Sequence, residues 1–249
     1  MRSYCGFLER SPEPVRRSEV PWAGVVLIVN FGAPYTVAGE AFGSFTAGLA
    51  DAPVTTEHKG AHYGVEINLE PLGARRLFGL PMSELANRVV DLDAVLPGAP
   101  LLVERLHDAP DWASRFSILD AVIHARLAAV APAPAEMRWA WRRLRASDGR
   151  ASIATLAAEV GWSRRHFGAT FRDQLGLPPK TVARILRFER VVRLLEHDDG
   201  GCLAEIAYDC GFADQPHLNR DFRELAGTTP GAYLAAKVAF VQDETGAQT

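Results

Sequence analysis

The sequence predicts an α+β protein: an N-terminal β-rich domain with accessory helices, then an all-α domain in which a long helix joins two helix-turn-helix units. Three observations carry this. Short β-branched and alternating runs, punctuated by Gly and Pro, crowd residues 1–80. Apolar residues at three-and-four spacing take over further along the chain. A stretch beginning at Ile153 then returns about fifty residues later.

The elements follow in order. Val25-Val26-Leu27-Ile28-Val29 is a short strand, and Val65, Ile67 and Leu69 alternate with Glu66, Asn68 and Glu70. Together they predict a small antiparallel sheet or barrel. From about Ser83 the pattern turns helical, and Leu101, Leu102 and Leu106 suit one short helix. In DWASRFSILDAVIHARLAAV, residues Phe116, Leu119, Val122, Ile123 and Leu127 line one helical face, with Asp111 placed to cap it. Ala131-Pro132-Ala133-Pro134 breaks that helix and marks the domain boundary. The expected organisation is a domain over 1–130, a linker over 131–135, a helical domain over 136–238 and a disordered polar tail over 239–249.

Composition narrows the function classes. The formal net charge is -3, so an overall basic excess is absent and any anion-binding surface must be local. Cys5, Cys202 and Cys210 are too few for a disulfide framework, and no His pair beside them suggests zinc. The longest apolar run is far too short to span a bilayer, and the N-terminus lacks a signal-peptide hydrophobic region. A cytoplasmic protein without membrane partners is expected.

The repeat is the most informative feature. IATLAAEVGWSRRHFGATFRDQLGLPP starts at Ile153, and LAEIAYDCGFADQPHLNRDFRELAGTTP starts at Leu203. Leu156-Ala157 matches Ile206-Ala207, and Gly161-Trp162 matches Gly211-Phe212. Ser163 then matches Asp214, Phe167 matches Leu218, Phe171 matches Phe222, Gly176 matches Gly227 and Pro179 matches Pro230. The offset grows from fifty to fifty-one, so the second copy carries one extra residue, in its turn. Each copy reads as a short helix with a small Ala at a close crossing, a left-handed Gly, an aromatic plug, an N-cap and a second helix ended by Gly. That is the pattern of a helix-turn-helix unit. Between the copies, PKTVARILRFERVVRLL (179–195) has an apolar stripe of Val182, Ile185, Leu186, Val192 and Leu195, with Lys180, Arg184, Arg187, Arg190 and Arg193 as its polar surface.

With the paired units, the RFERVVRLL helix and the closing GFADQPHLNRDFRELAGTTPGAYL, residues 136–235 resemble the AraC/XylS family of bacterial transcription regulators. The resemblance implies a sequence-specific DNA-binding regulator, with double-stranded DNA and RNA polymerase as partners, no catalysis and no cofactor. The second helix of each unit would enter one of two successive major-groove segments, about 34 Å apart. The N-terminal half, with FGAPY, GSFTAGL, INLEPLGARRLFGLPMSEL and ERLHDAPDWASRF, is similar to the amino-terminal domain of an AraC-type subgroup with an uncharacterised sensor. In the wider family such domains bind a small-molecule effector or form a homodimer. The helix over Asp111–Val130 would cover the sheet within one subunit or offer the dimer surface.

A recognition helix presents its first turns to base edges. Counting from the caps, the outward residues are Arg164, Arg165, Gly168 and Ala169 in the first copy. In the second they are Gln215, Pro216, Asn219 and Arg220, with His217 close by. Arg can pair bidentately with guanine, and Asn or Gln with adenine, so the second helix has the richer reading set. Gly168 and Ala169 permit close approach and read little beyond a thymine methyl. His166 is a polar surface residue or a further contact. Arg142 and Arg143 of the lead-in MRWAWRRLRASDGR, with Lys180 and Arg187, are the expected phosphate contacts, and Trp139 and Trp141 are expected in the core.

Two other chemistries have partial signatures in the first half. His58, His62 and Glu66 recur at four-residue steps, which on a helix would align them for a metal. Gly60, Gly64 and the alternation that follows argue instead for turn and strand, and no metal site is expected. Ser44 lacks the G-x-S-x-G setting of a hydrolase nucleophile, and no paired acid and base stand out. A purely structural helical adaptor is the remaining alternative; it predicts no salt-dependent affinity for DNA.

Overall fold

A computed structural model describes residues 3–197 and 202–235. The expected tail over 239–249 lies outside the described residues. The N-terminal part is a seven-stranded, wholly antiparallel sheet: β1 (Ser3–Glu19), β2 (Val25–Asn30), β3 (Tyr35–Val37), β4 (Glu40–Phe42), β5 (Phe45–Ala47), β6 (Val54–Leu69) and β7 (Val89–Asp91). The order is β4-β3-β6-β2-β5-β7. The long β6 pairs along its other edge with β1, from Ser3↔Asn68 to Glu19↔Val54, with an irregularity between Ser11 and Val15.

Strand β2 reads as an unbroken apolar run because both its faces are covered. Val25, Leu27 and Val29 enter the main core, while Ile28 joins Val37, Phe42 and Phe45 on the other face. In β6, Val65, Ile67 and Leu69 are buried in the main core. The expected switch to helix at Ser83 is corrected. Helix α1 (Pro71–Phe78) begins earlier, and β7 follows the short 3-10 turn Met82–Glu84. Pro71 at the first helical position and the left-handed Gly79 after the last turn delimit α1, two signals that outweigh its short length.

Helices α2 (Leu92–Val95), α3 (Ala99–Asp108) and α4 (Trp112–Ala129) follow. The Asp111 carboxylate accepts from Ser114 N at 2.7 Å and caps α4. Leu119 and Ile123 of α4 are buried, Phe116 packs on Tyr4 with ring centroids 4.9 Å apart, and the Tyr4 hydroxyl donates to Asp120. Helix α4 therefore covers β1 within the subunit.

Residues 131–134 are neither helix nor strand. Beyond them come α5 (Ala135–Ala146), α6 (Ile153–Glu159), α7 (Arg164–Leu175), α8 (Pro179–His197), α9 (Leu203–Asp209) and α10 (Gln215–Ala226). One apolar core runs through both parts, joining Leu77, Met82 and Leu85 to Phe167, Phe171 and Leu175. No described helix is long and apolar enough to cross a membrane.

Candidate nucleic-acid interface

Helices α6 and α7 form the first unit, and α9 and α10 the second. In each, the small residue of the first helix, Ala157 or Ala207, is at most 1% exposed, which lets the second helix cross closely. Gly161 (φ 71) and Gly211 (φ 78) adopt the left-handed turn that reverses the chain. The caps are as the sequence implies: Ser163 Oγ accepts from His166 N at 3.2 Å, and Asp214 Oδ1 from His217 N at 2.7 Å. The turn aromatics differ. Phe212 is buried, whereas Trp162 is only half-buried and meets the His166 ring edge-on at 4.6 Å. In the second unit, His217 lies edge-on to Phe212 at 5.3 Å. The two units thus share a histidine at the third helical position, held against the turn aromatic.

The inner faces of α7 and α10 bury Phe167, Phe171 and Leu175, and Leu218, Phe222 and Leu225. Their N-terminal turns face outward. Arg164, Arg165 and Ala169 are exposed and Gly168 half-buried; Pro216 and Arg220 are exposed; Gln215, His217 and Asn219 are half-buried. Pro216 removes a first-turn N–H that has no intrahelical partner anyway.

The basic residues divide into two groups. Arg142, Arg143 and Lys180 are exposed, and Arg143 lies 6.0 Å from the Trp139 ring. The arginines of α8 are mostly turned onto the protein itself. Asp148, in the turn after α5, accepts from Arg190 at 2.6 Å and Arg193 at 2.8 Å. Burial raises the Asp148 carboxyl, but these two guanidiniums outweigh it and hold it below the ordinary carboxylate range. Arg184 pairs with Glu224 at 2.9 Å. Arg187 is half-buried 5.5 Å from the Phe212 ring, donates to Gly149 O at 3.4 Å, and has its pKa lowered by burial. Arg187 thus sits within the scaffold of the second unit's turn. Spacing could not reveal this, because Asp148 and Phe212 approach α8 from distant parts of the chain. The Asp-Gly in ASDGR was the available signal for a tight turn. Asp148 and Gly149 both have positive φ, of 47° and 76°.

Trp141 is buried as expected, and its Nε1 donates to Glu70 of the N-terminal part at 2.9 Å. Glu70 also pairs with Arg145. Further links join the two parts: Arg75 to Asp173 at 3.2 Å, and Ala23 N to a Glu189 carboxylate oxygen at 2.7 Å.

The His58, His62 and Glu66 set lies on one strand face, and the structure gathers only two of its members. The His58 and His62 rings are 4.5 Å apart and buried, with Tyr35 against both and Glu9 3.3 Å from His58 Nε2. Glu66 instead accepts from Asn68 at 2.8 Å. Among the described residues no group of three or more His, Cys, Asp or Glu side chains is placed to hold a metal ion.

Similarity to known proteins agrees with this geometry. A family model described as a helix-turn-helix domain matches residues 156–236. The HTH-type transcriptional activator RhaS of Escherichia coli O157:H7 (strain EC4115 / EHEC) is 29% identical over 96 residues, or 35% of this chain and 34% of that protein. The chain thus matches about a third of the length of these curated relatives. The structure of ToxT from Vibrio cholerae resembles this fold with a TM-score of 0.52 at 10% identity, covering 93% of this chain and 97% of that one. That likeness extends over both parts of the molecule.

Proposed function

We propose that this chain, whose C-terminal region is an AraC/XylS-type helix-turn-helix domain within a two-domain α+β fold, is a sequence-specific DNA-binding transcription regulator. The observation that carries the reading is the matched pair of capped turns, from which α7 and α10 both direct their first turns outward. In this reading the two helices occupy successive major-groove segments. Arg164 and Arg165 form the first contact set, with Gly168 and Ala169 allowing close approach. Gln215, Asn219 and Arg220, flanked by Pro216 and His217, form the second. Arg142, Arg143 and Lys180 contact phosphates.

Residues 1–130 act as the regulatory domain, and the Glu70, Arg75 and Ala23 links to the helical part support that role. The description of the RhaS relatives as transcriptional activators supports RNA polymerase as the downstream partner. A small-molecule effector and a homodimer belong to the same reading.

In vitro selection from random double-stranded DNA with the full chain, at stated salt, tests the proposal. The expected product is a motif of two blocks about one helical turn apart. Binding to every sequence alike would leave the domain a non-specific DNA binder, and absence of salt-dependent binding would favour the adaptor reading.

A further inference from the structure

The two recognition helices are held by different parts of the molecule. The C-terminal half of α7 packs on the N-terminal domain. Phe171 and Leu175 are fully buried in the core that includes Leu77 and Met82. Arg75 of α1 donates to Asp173 at 3.2 Å, and Asp173 also accepts from the buried Gln174 at 2.8 Å. At the C-terminal end of α7 the backbone comes so close to the 3-10 turn that a Cβ on Gly176 would stand 3.1 Å from Met82 O.

Helix α10 is held by α8 and by α9, the other helix of its own unit. Arg184 pairs with Glu224 at 2.9 Å and lies 3.9 Å from the buried Asp221, and the Phe188 and Phe222 rings are 4.9 Å apart. The N-terminal domain approaches just past the end of α10, where Pro53 lies 3.5 Å from where a Cβ on Gly227 would stand. That point is at the opposite end of the helix from Gln215 and about two turns beyond Arg220.

From this asymmetry we infer that Arg75 and Met82 are positioning residues for the first recognition helix, so that the N-terminal domain sets the reading of one half of the DNA site, while Arg184 performs that service for the other half. The inference rests on the DNA-binding reading above. Its consequence is a regulator whose sensor tunes one contact block and leaves the second as a constant anchor. A packed interface has discrete arrangements, so a change in the N-terminal domain reaches α7 as a repositioning of its exposed first turns.

The test uses the full chain on its own selected site, with protection of each block measured separately by footprinting. Arg75→Ala, which removes the ion pair to Asp173, is expected to weaken the α7 block by up to about fivefold and to leave the α10 block unchanged; Met82→Ala, which keeps the backbone contact at Gly176 but empties core space in the cluster shared with Phe171 and Leu175, is expected to act in the same direction. Arg184→Ala is expected to give the mirror result. Arg75→Asp with Asp173→Arg should restore the α7 block that either change alone weakens, a rescue that general destabilisation would not produce. Equal loss at both blocks in folded Arg75→Ala and Met82→Ala protein, or no loss at either, would overturn the inference while leaving the DNA-binding reading intact. Failure of the wild-type chain to protect two blocks would overturn that reading, and this inference with it.

Discussion

Gly149→Ala is the most demanding test of the packing between α5, α8 and the first unit. Two independent penalties fall on this residue. Its φ of 76° is in the left-handed region, where a side chain costs about 1–2 kcal/mol. A Cβ there would also press on the Ala183 carbonyl of α8, with the carbonyl carbon at 2.9 Å and Cα at 3.1 Å. These are backbone atoms of a helix whose Val182, Ile185 and Phe188 are buried, so the contact is relieved only by shifting α8, at a further ~1–3 kcal/mol. Alanine restricts the unfolded chain and returns about 0.4–1 kcal/mol. The net expected loss is about 2–4 kcal/mol.

Gly161→Ala is the internal control. Its φ is 71°, but a Cβ would meet nothing within 4 Å, so only the conformational cost of about 1 kcal/mol remains. Urea and thermal unfolding of the full chain read both. At about 2–4 °C per kcal/mol for a chain of this size, Gly161→Ala should lower Tm by a few degrees and Gly149→Ala by roughly 5–15 °C. Equal effects of the two substitutions would refute the close approach of α8 to the α5–α6 turn.

Other predictions follow from the site. Asp148→Asn keeps the size and turn tolerance of the residue and removes its charge, so it should lower stability at pH 7 by about 1–2 kcal/mol. Because the Asp148 carboxyl is held below its ordinary value, that contribution is complete above about pH 5 and is lost as pH falls through the ordinary value to the folded-state one; wild type and variant should converge in acid unfolding curves there. Asp214→Ala removes the acceptor of His217 N–H and should cost about 1 kcal/mol in denaturant unfolding, with Asp214→Ser recovering most of it. Arg187→Ala should lower Tm and leave the slope of log affinity against log salt unchanged, because its guanidinium packs on Phe212. Lys180→Ala should leave Tm unchanged and reduce that slope by about one.

The helical half was legible because its information is local. Left-handed glycines, N-caps and buried positions recur at fixed offsets in two copies, and Gly161, Gly211, Ser163 and Asp214 all adopt the conformations that their residue types favour. The strands of the N-terminal half were legible as a class. The turn to helix was misplaced, since the eight-residue α1 is too short to show a period and is defined by Pro71 and Gly79 instead. What the sequence hid is long-range. The arginine-rich face of α8 looked like solvent-exposed polar surface, yet Asp148 and Glu224, 42 and 40 residues from Arg190 and Arg184, draw those side chains inward. Likewise nothing local in α7 indicated that Asp173 and Gly176 meet Arg75 and Met82. The first copy also has a half-buried Trp162, edge-on to His166, where the pattern implied a core plug.

Selection with Arg220→Ala beside wild type shows whether α7 and α10 read bases. Arg220 is exposed on the second turn of α10, away from its buried Leu218 and Phe222, so its loss should leave folding intact. Wild type should enrich two blocks, and the variant should retain the block read by α7 while the α10 block becomes degenerate at one position, a discrimination loss of about 1–3 kcal/mol. An identical motif from both proteins, or uniform weakening on selected and scrambled DNA, would contradict that base reading.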